Sequence, residues 1–180
     1  MTTRVLFLDR DGVINEDHGY VHRVEQFDFI EGIFDLTRAA CRSGYRVVVV
    51  TNQSGIARGY YTETEFHRLT DWMRAAFETQ GARIEAVYYC PYHPTEGIGA
   101  YRREDSCRKP APGMLLQAAR ELEIDLGASL LIGDRVSDIQ AAAAAGVGRS
   151  LLLVRPPERV PENPSCPVVA SLSEAIPWLT

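Results

Sequence analysis

Lysine is almost absent from this sequence of 180 residues. Of its 19 basic side chains, 18 are arginine and one, Lys109, is lysine. No run of five or more basic residues occurs, and the formal net charge is −5. A nucleic-acid-binding surface needs clustered positive charge to displace counterions from phosphates, so we expect no nucleic-acid partner. A small anionic substrate is compatible with this composition.

Long apolar stretches and closely spaced cysteine pairs are also missing. The first apolar run, residues 5–8, passes directly into Asp9, and later runs such as 47–50 are equally short. We therefore expect no membrane partner, no signal peptide and a cytoplasmic location. No Cys-x-x-Cys pair occurs, and a chain of this length does not need a disulfide framework, so we predict reduced thiols. The cysteines are Cys41, Cys90, Cys107 and Cys166.

Short apolar runs alternate with amphipathic stretches along the chain. The runs predict buried strands at 4–8, 46–50, 84–89, 129–132 and 150–154. The stretches predict helices at 33–43, 62–80, 112–123, 137–145 and 173–179. Parallel neighbouring strands need crossover connections, so this alternation predicts an α/β fold, a three-layer, Rossmann-like open parallel sheet. With 46% hydrophobic and 24% charged residues, we expect one domain over residues 1–180.

Three of the predicted helices carry the sequence pattern of a capping box. In this motif a hydroxyl accepts a hydrogen bond from the third helical residue, whose side chain accepts one in return. The predicted pairs are Thr62 with Glu65, Ser137 with Gln140, and Ser171 with Glu174.

Acidic residues follow two of the predicted strands. Asp9 and Asp11 follow the first strand, and Asp134 follows the fourth. Carboxylates at i and i+2 project to one side of an extended backbone, and Asp134 would face them if the two strands are neighbours. Magnesium prefers such oxygen ligands, so these residues are a candidate magnesium site. The alternative interpretation is that they are solvated acids in surface loops. Asp138, in the first turn of the next helix, is expected to act at most indirectly.

Two further polar segments lie at predicted strand ends. The turn after the second strand can direct hydroxyl and amide donors at an anion, although turn chemistry alone would also select its residues, 51–55. The lone Lys109 lies just before Pro112, which suits a first helical turn. The ammonium of lysine is a compact charge suited to a phosphoryl oxygen or an acidic cluster, whereas the guanidinium of arginine is planar and presents its N–H donors in a fixed plane. A surface lysine is the alternative.

The connection at 90–111 is longer than the others. Loops beyond about 15 residues without secondary structure are uncommon and are often functional. Together with residues 13–25, this loop is expected to form a wall over the site, and neither segment is long enough for a separate cap domain.

In this order and at these strand ends, the segments resemble the haloacid dehalogenase (HAD) superfamily of aspartate-nucleophile phosphotransferases. The motifs lie at residues 7–12, 17–22, 51–59, 90–91, 108–110 and 133–134. Within the superfamily they look most like the D-glycero-D-manno-heptose-1,7-bisphosphate 7-phosphatases of lipopolysaccharide core precursor biosynthesis. The resemblance implies a capless HAD fold and a magnesium-dependent phosphoric monoester hydrolase acting on a small phosphorylated sugar, with the anomer at C1 left open.

The resemblance also implies roles for individual residues. Asp9 attacks the phosphate, Asp11 acts as acid and then as base, and Thr51 and Lys109 hold phosphoryl oxygens. Magnesium is bound by Asp9, by the backbone carbonyl of Asp11 and by Asp134. The implied substrate contacts are Asp17, His18, Gly19, Tyr20, Thr51, Asn52, Gln53, Ser54, Arg108, Lys109 and Arg135.

Many relatives hold the long loop with Zn²⁺ through a Cys-x-His and a Cys-x-Cys pair. Here these positions are Cys90, Tyr92, Asp105 and Cys107. His93 and Asp105 offer a substitute pair, but structural zinc sites usually have closed Cys/His shells, so Zn²⁺ is not expected. Tyrosine packing is the alternative means of holding the loop, through Tyr88, Tyr89, Tyr92 and Tyr101.

Two other functions stay open. Histidinol-phosphate phosphatases share most of the motifs. A phosphoacceptor or phosphate-sensing module, such as a receiver domain, also combines a strand-end aspartate with magnesium and a lysine. Asp11 favours an enzyme, because turnover needs a general acid and a long-lived phosphoryl switch does not. We expect the enzyme to be a monomer.

Overall fold

The computed structural model describes residues 3–180, and its six strands form one parallel sheet. The order across the sheet is β3-β2-β1-β4-β5-β6, and every pairing is parallel. The strands are β1 Val5–Leu8, β2 Arg46–Asn52, β3 Ile84–Cys90, β4 Leu130–Gly133, β5 Arg149–Leu153 and β6 Val168–Val169. The predicted α/β fold is confirmed. The two-residue β6 was not predicted, because a run that short carries no periodicity.

In the part of the chain that the structure describes, five α-helices and three 3₁₀ helices accompany the sheet. The α-helices are α1 Ile33–Arg42, α2 Ser54–Ala57, α3 Glu63–Thr79, α4 Gly113–Leu122 and α5 Val136–Ala145. The 3₁₀ helices are Val24–Gln26, Gly99–Tyr101 and Ser173–Trp178. The last was predicted as an ordinary helix, and Pro177 inside it removes one backbone donor. Among residues 3–180, none of the helices has both the length and the hydropathy to cross a bilayer.

Alternation along the strands divides the core into two layers. In β1, Leu6 and Leu8 face one side of the sheet while Val5 and Phe7 face the other, and all four are fully buried. The first side packs against α1 and α3, and the second against α4 and α5. The helical contributors include Leu36, Leu69 and Met73 on the first side and Met114, Ala118 and Ile139 on the second.

The centre of the sheet is the point where the strand order reverses. β1 pairs with β2 on one side and with β4 on the other, with Leu8 in register with Ile132. The first and fourth strands are therefore neighbours, which is the condition under which Asp134 would face Asp9 and Asp11. In open parallel sheets, ligands bind beyond the carboxyl ends of the strands at this reversal, and Asp9 and Asp134 both emerge there.

One of the three predicted capping boxes is present. The hydroxyl of Thr62 accepts from the backbone N–H of Glu65 at 3.2 Å, and the carboxylate of Glu65 accepts from the N–H of Thr62 at 2.8 Å. The boxes predicted at 137–140 and 171–174 are wrong. Their helices begin at residues 136 and 173, which puts neither serine at the N-cap position.

The ends of the long loop are joined by a disulfide. The sulfurs of Cys90 and Cys107 lie 2.20 Å apart, with their Cα atoms 5.4 Å apart. The prediction of reduced thiols is wrong for this pair, because the fold returns the loop to the end of β3 beside the start of α4. Cys41 and Cys166 are free.

Tyrosine contacts, which the sequence offered as the alternative to zinc, also hold the loop, although the hydroxyl of Tyr88 donates to Glu121 of α4 instead. The hydroxyl of Tyr101 donates to Glu63 of α3 at 2.6 Å, and the hydroxyl of Tyr89 donates to the same carboxylate. The ring of Tyr92 lies 6.1 Å from the ring of Tyr101. The two hydroxyls hold the pKa of Glu63 below its ordinary value, first through Tyr101 and then through Tyr89. Glu63 therefore links α3 to the long loop.

The capping box of α3 gives a direct test of local stability. We expect Thr62→Ala to lower the free energy of unfolding by about 1 kcal/mol, because one backbone N–H at the helix start loses its partner. Urea denaturation monitored by circular dichroism measures this. Thr64→Ala, an exposed change in the same turn, is the control. Equal stability of the two variants would contradict a capping role for Thr62.

Candidate active site

A buried lysine joins the carboxylate of Asp9, at the end of β1, to the carboxylate of Asp138, in the first turn of α5. The ammonium of Lys109 donates to Asp9 at 2.9 Å, to Asp138 at 2.5 Å and to the backbone carbonyl of Val50 at 2.9 Å. Only 5% of Lys109 is exposed. The three protons of an ammonium thus have three acceptors from three elements, a geometry that the planar guanidinium of arginine does not match.

Burial and like charge raise the pKa values of the acids in this cluster. Burial, with repulsion from Asp138 next, raises the pKa of Asp9 well above its ordinary value, and Lys109 only partly opposes this. Burial and then Asp138 raise the pKa of Asp134 to about 6. Burial acts to lower the pKa of Lys109, but the adjacent Asp9 and Asp138 outweigh it and raise that pKa. The cluster has more negative charge than one lysine balances.

The side chain of Asn52 fixes the backbone of Lys109. Its amide nitrogen donates to the carbonyl of Lys109 at 3.1 Å, and its amide oxygen accepts from the N–H of Lys109 at 3.0 Å. Asn52 ends β2, so this pair of hydrogen bonds attaches the long loop to the sheet. The sequence assigned Asn52 only to substrate contact.

Three donors surround the carboxylate of Asp11. Arg10 donates to Oδ1 at 2.9 Å, Asn15 donates to Oδ1 at 3.0 Å and Gln53 donates to Oδ2 at 3.0 Å. The amide of Gln53 also donates to the hydroxyl of Thr51 at 2.8 Å. These hydrogen bonds fix the orientation of Asp11 at the cavity floor.

A polar cavity of about 510 Å³ opens over these groups. Most of the predicted site residues line it, namely Asp9, Asp11, Asp17, Gly19, Tyr20, Asn52, Gln53, Ser54, Arg108, Lys109 and Arg135. Residues that the sequence did not assign to the site also line it, namely Gly55, Tyr61, Pro110, Ser137 and Asp138.

Three predicted residues do not line this cavity. The ring of His18 is hydrogen-bonded to the carboxylate of Asp28 at 2.7 Å on the exposed surface, and its contact with substrate stays a prediction. Thr51 is buried below the floor, where it accepts from Gln53. Asp134 lines an adjoining depression of about 370 Å³.

Guanidinium groups lie at the mouth of the cavity although the whole chain is acidic. Arg108 and Arg135 line it, and burial first, and then the nearby Arg58 and Arg135, lower the pKa of Arg108. Arg135 also forms an ion pair with Asp17 across the mouth at 3.1 Å. Converging positive groups attract an anionic ligand.

Arg10, Asn15 and Tyr61 belong to the site but were not predicted from the sequence. Arg10 lies between the two strand-end acids in the chain and is almost fully buried, and a charged residue at a buried strand end was the available signal. Tyr61 lies in no strand-end motif, although it lines the cavity and donates to the side chain of Gln53. Nothing in the local pattern of the sequence marks it.

Comparisons with known proteins agree with this geometry. The HAD-hydrolase-like family model matches residues 106–175. The D-glycero-alpha-D-manno-heptose-1,7-bisphosphate 7-phosphatase of Burkholderia mallei is 55% identical over 181 residues, covering 100% of this chain and 95% of that protein. The corresponding beta-named 7-phosphatase of Vibrio cholerae is 52% identical over 153 residues, covering 85% of this chain and 82% of that protein. The chain belongs to the heptose-bisphosphate phosphatase family of HAD hydrolases.

A solved structure supports the same family fold. The D,D-heptose 1,7-bisphosphate phosphatase from B. bronchiseptica, crystallised with magnesium and phosphate, superposes with a TM-score of 0.81. It is 29% identical, and the alignment covers 98% of each chain. The sequence motifs of this chain implied a HAD fold, and this fold is confirmed.

The acidic cluster of this HAD hydrolase fits a magnesium ion. Within residues 3–180, the one group of three potential ligand residues with atoms within 4.8 Å of one another is Asp9, Asp134 and Asp138. The oxygens of Asp138 already accept from Lys109 and from the N–H of Arg135. By contrast, Oδ1 of Asp134 is buried without a hydrogen-bond partner. An unpartnered carboxylate oxygen in an excess of negative charge suits a hard cation.

The residues at the ends of the long loop do not fit zinc in this structure. Cys90 and Cys107 are joined to each other. Nδ1 of His93 accepts from the backbone N–H of Glu96 at 3.0 Å, and Oδ1 of Asp105 accepts from the N–H of Cys107 at 3.0 Å. These four side chains therefore do not offer a tetrahedral set of free ligand atoms.

The raised pKa of Asp134 predicts a pH-dependent response to magnesium. Its carboxyl ionises at about pH 6 in the folded chain but near 3.8 when unperturbed. The metal-free fold therefore loses stability as pH rises through this window, and a bound cation reverses the loss. We expect saturating Mg²⁺ to raise Tm by roughly 5–10 °C at pH 7.5 and by much less at pH 5, measured by calorimetry.

Asp134→Asn is the matched variant for this measurement. It removes one of the repelling charges, so the metal-free variant should be at least as stable as the wild type at pH 7.5 and should respond little to Mg²⁺. Asp28→Asn, a change at an exposed acid, should keep the full response. An undiminished Mg²⁺ shift in Asp134→Asn would exclude Asp134 as a ligand.

Proposed function

We propose that this protein is a magnesium-dependent phosphatase that removes the 7-phosphate of D-glycero-D-manno-heptose 1,7-bisphosphate in nucleotide-heptose biosynthesis. The observation that carries the proposal is the carboxylate of Asp9, held by Lys109 at the floor of a polar cavity that Asp11 also lines. The names of the relatives supply the substrate class. A cavity of about 510 Å³ is in the range that holds a small ligand.

In the proposed first step, a carboxylate oxygen of Asp9 forms a bond to phosphorus while the bond between phosphorus and the C7 oxygen breaks. Asp11 gives its proton to that departing oxygen. The ionised carboxylate of Asp9 needs no base to attack, and the aspartyl phosphate is labile to water. In the second step, water attacks phosphorus, Asp11 takes a proton from the water, and inorganic phosphate leaves Asp9 free.

Magnesium would be held by Asp9, Asp134 and the backbone carbonyl of Asp11. When bound, the ion offsets the repulsion between the anionic carboxylate and the anionic phosphoryl group. The charge of Lys109 supports the same step, because its three acceptors keep it directly beside Asp9. Lys109 thereby orients Asp9 for attack as well as placing positive charge next to the phosphoryl oxygens.

The mouth of the cavity is the proposed binding region for the rest of the sugar. Asp17 and Tyr20 come from the predicted wall at 13–25, and Arg108 comes from the wall at 90–111. Convergent positive charge there supports binding of the 1-phosphate, which lies at the other end of the substrate from the reacting phosphate. We propose that both segments are substrate loops of a single phosphatase domain.

We further propose that the enzyme acts as a monomer in the cytoplasm. The groups that the proposed reaction needs, Asp9, Asp11, Lys109 and Asp134, all come together within one chain, so the reaction does not need a second copy. The contacts of Glu63 with Tyr89 and Tyr101 hold the long loop independently of the bond between Cys90 and Cys107.

The substrate proposal is tested by comparing kcat/KM for heptose 1,7-bisphosphate and for histidinol phosphate with Mg²⁺ present. The relatives are named for the alpha and the beta anomer, so both are assayed. We expect a preference of roughly 100-fold for a heptose bisphosphate, because histidinol phosphate lacks the second anionic group. A preference for histidinol phosphate would replace the proposed substrate.

Asp9→Asn is the control for the reaction itself. The amide cannot attack phosphorus, so the variant should lose turnover of both substrates in the presence of Mg²⁺. Retention of most activity would remove Asp9 as the nucleophile. A wild-type protein that keeps one phosphoryl group for minutes without turnover would be a phosphoacceptor module.

Lys109→Arg tests the need for an ammonium. We expect kcat to fall about 100-fold or more although the charge is kept, because a planar guanidinium cannot satisfy the same three acceptors. Arg108→Lys, at the cavity mouth, should mainly raise KM for the bisphosphate. Steady-state kinetics with Tm as a folding check measure both. An unimpaired Lys109→Arg variant would show that any cation suffices beside Asp9.

A further inference from the structure

The side-chain amide of Gln53 lies between Asp11 and Tyr61. Its Nε2 donates to Oδ2 of Asp11 at 3.0 Å and to Thr51 at 2.8 Å, while the hydroxyl of Tyr61 donates to its Oε1. Gln53 is 2% exposed and Tyr61 is 5% exposed. Every hydrogen-bonding atom of this amide thus has a protein partner, which does not fit the substrate contact implied by the family resemblance.

Counting acceptor positions on Asp11 locates its proton. An ionised carboxylate has about four lone-pair sites, two on each oxygen. Oδ1 accepts from both Arg10 and Asn15, and Oδ2 accepts from Gln53 alone. The one remaining position is on Oδ2, so a proton transferred to or from Asp11 is confined to that oxygen.

Tyr61 holds the far end of the Gln53 amide. The two ends of an amide have nearly the same size, so its orientation depends on its hydrogen-bond partners. A hydroxyl can donate or accept, whereas an ionised carboxylate only accepts, so Asp11 selects Nε2 as the end that faces it. The hydroxyl of Tyr61 then donates to Oε1 and holds the amide in place against Asp11.

The ring of Tyr61 is itself held in place. A Cβ atom at Gly55 would lie 2.1 Å from Cε1 of Tyr61, so the close approach of this ring requires glycine there. On another side, the ring of His22 is stacked on it with centroids 5.0 Å apart. The hydroxyl is therefore directed by packing from two separate segments.

We propose that Gln53 and Tyr61 are positioning residues for Asp11, which leave one proton-carrying position on Oδ2 and fix its direction toward the leaving oxygen. The inference rests on the proposed function, in which Asp11 is the general acid. As the phosphorus–oxygen bond breaks, the proton moves from Oδ2 to the departing oxygen, and the resulting carboxylate keeps all three donors.

The test compares Tyr61→Phe with the wild type on two classes of phosphate ester. An alkyl phosphate such as the heptose 7-phosphate needs a proton on its leaving oxygen, whereas 4-nitrophenolate leaves without one. Because kcat/KM covers only the steps through departure of the leaving group, we expect about a tenfold loss for the alkyl ester and less than twofold for 4-nitrophenyl phosphate.

Tyr45→Phe is the matched control, since Tyr45 is 3% exposed and its hydroxyl accepts from Arg149 near the opposite end of the sheet. It should show no difference between the two esters. Gln53→Met should show the same selective loss as Tyr61→Phe or a larger one. The double variant should be no worse than Gln53→Met, because Tyr61 acts through Gln53.

Equal losses on both esters, or no loss on either, would overturn the positioning role of Tyr61. Additive losses in the double variant would overturn its action through Gln53. Failure of the proposed function gives a different result, namely no turnover of heptose bisphosphate by the wild type. Histidinol phosphate, which is also a primary alkyl phosphate, then serves as the alkyl ester in the same comparison.

Discussion

The ion pair of Lys109 with Asp9 and Asp138 is the contact on which the arrangement of the site depends. The three residues come from the end of the long loop, the end of β1 and the first turn of α5. Breaking a buried pair of this kind typically costs 3–5 kcal/mol, since the remaining charge is left uncompensated. The loop must therefore return to the sheet at this position, and the hydrogen bonds of Asn52 to its backbone serve that need.

Asn52 and Gln53 show how one short turn supports two different groups. Both are amides and they are adjacent in the chain, but their side chains reach different groups. Asn52 contacts Lys109, while Gln53 contacts Asp11. The turn after β2 holds Lys109 on one side and Asp11 on the other, so a shift of the turn would disturb both.

The apolar runs predicted the parallel sheet. Residues of the cavity walls, such as Asp17 and Arg108, were implied only by the family resemblance, whereas strand ends carry strong local signals: an apolar run, then acids or glycine. Asp9, Asp11 and Asp134 could be found in this way. Tyr61 could not, because its role depends on a contact with Gln53 that only the folded chain creates. The contact of His18 with Asp28 likewise exists only in the folded chain.

The burial of Lys109 also has a consequence for the chemistry of the protein surface. It is the only lysine in this sequence, and its ammonium is enclosed by three acceptors. Guanidinium groups carry the exposed positive charge, and they react poorly with acylating reagents at neutral pH. Across residues 3–180, amine-directed crosslinkers and acetyl donors therefore meet no accessible side-chain amine on the folded chain.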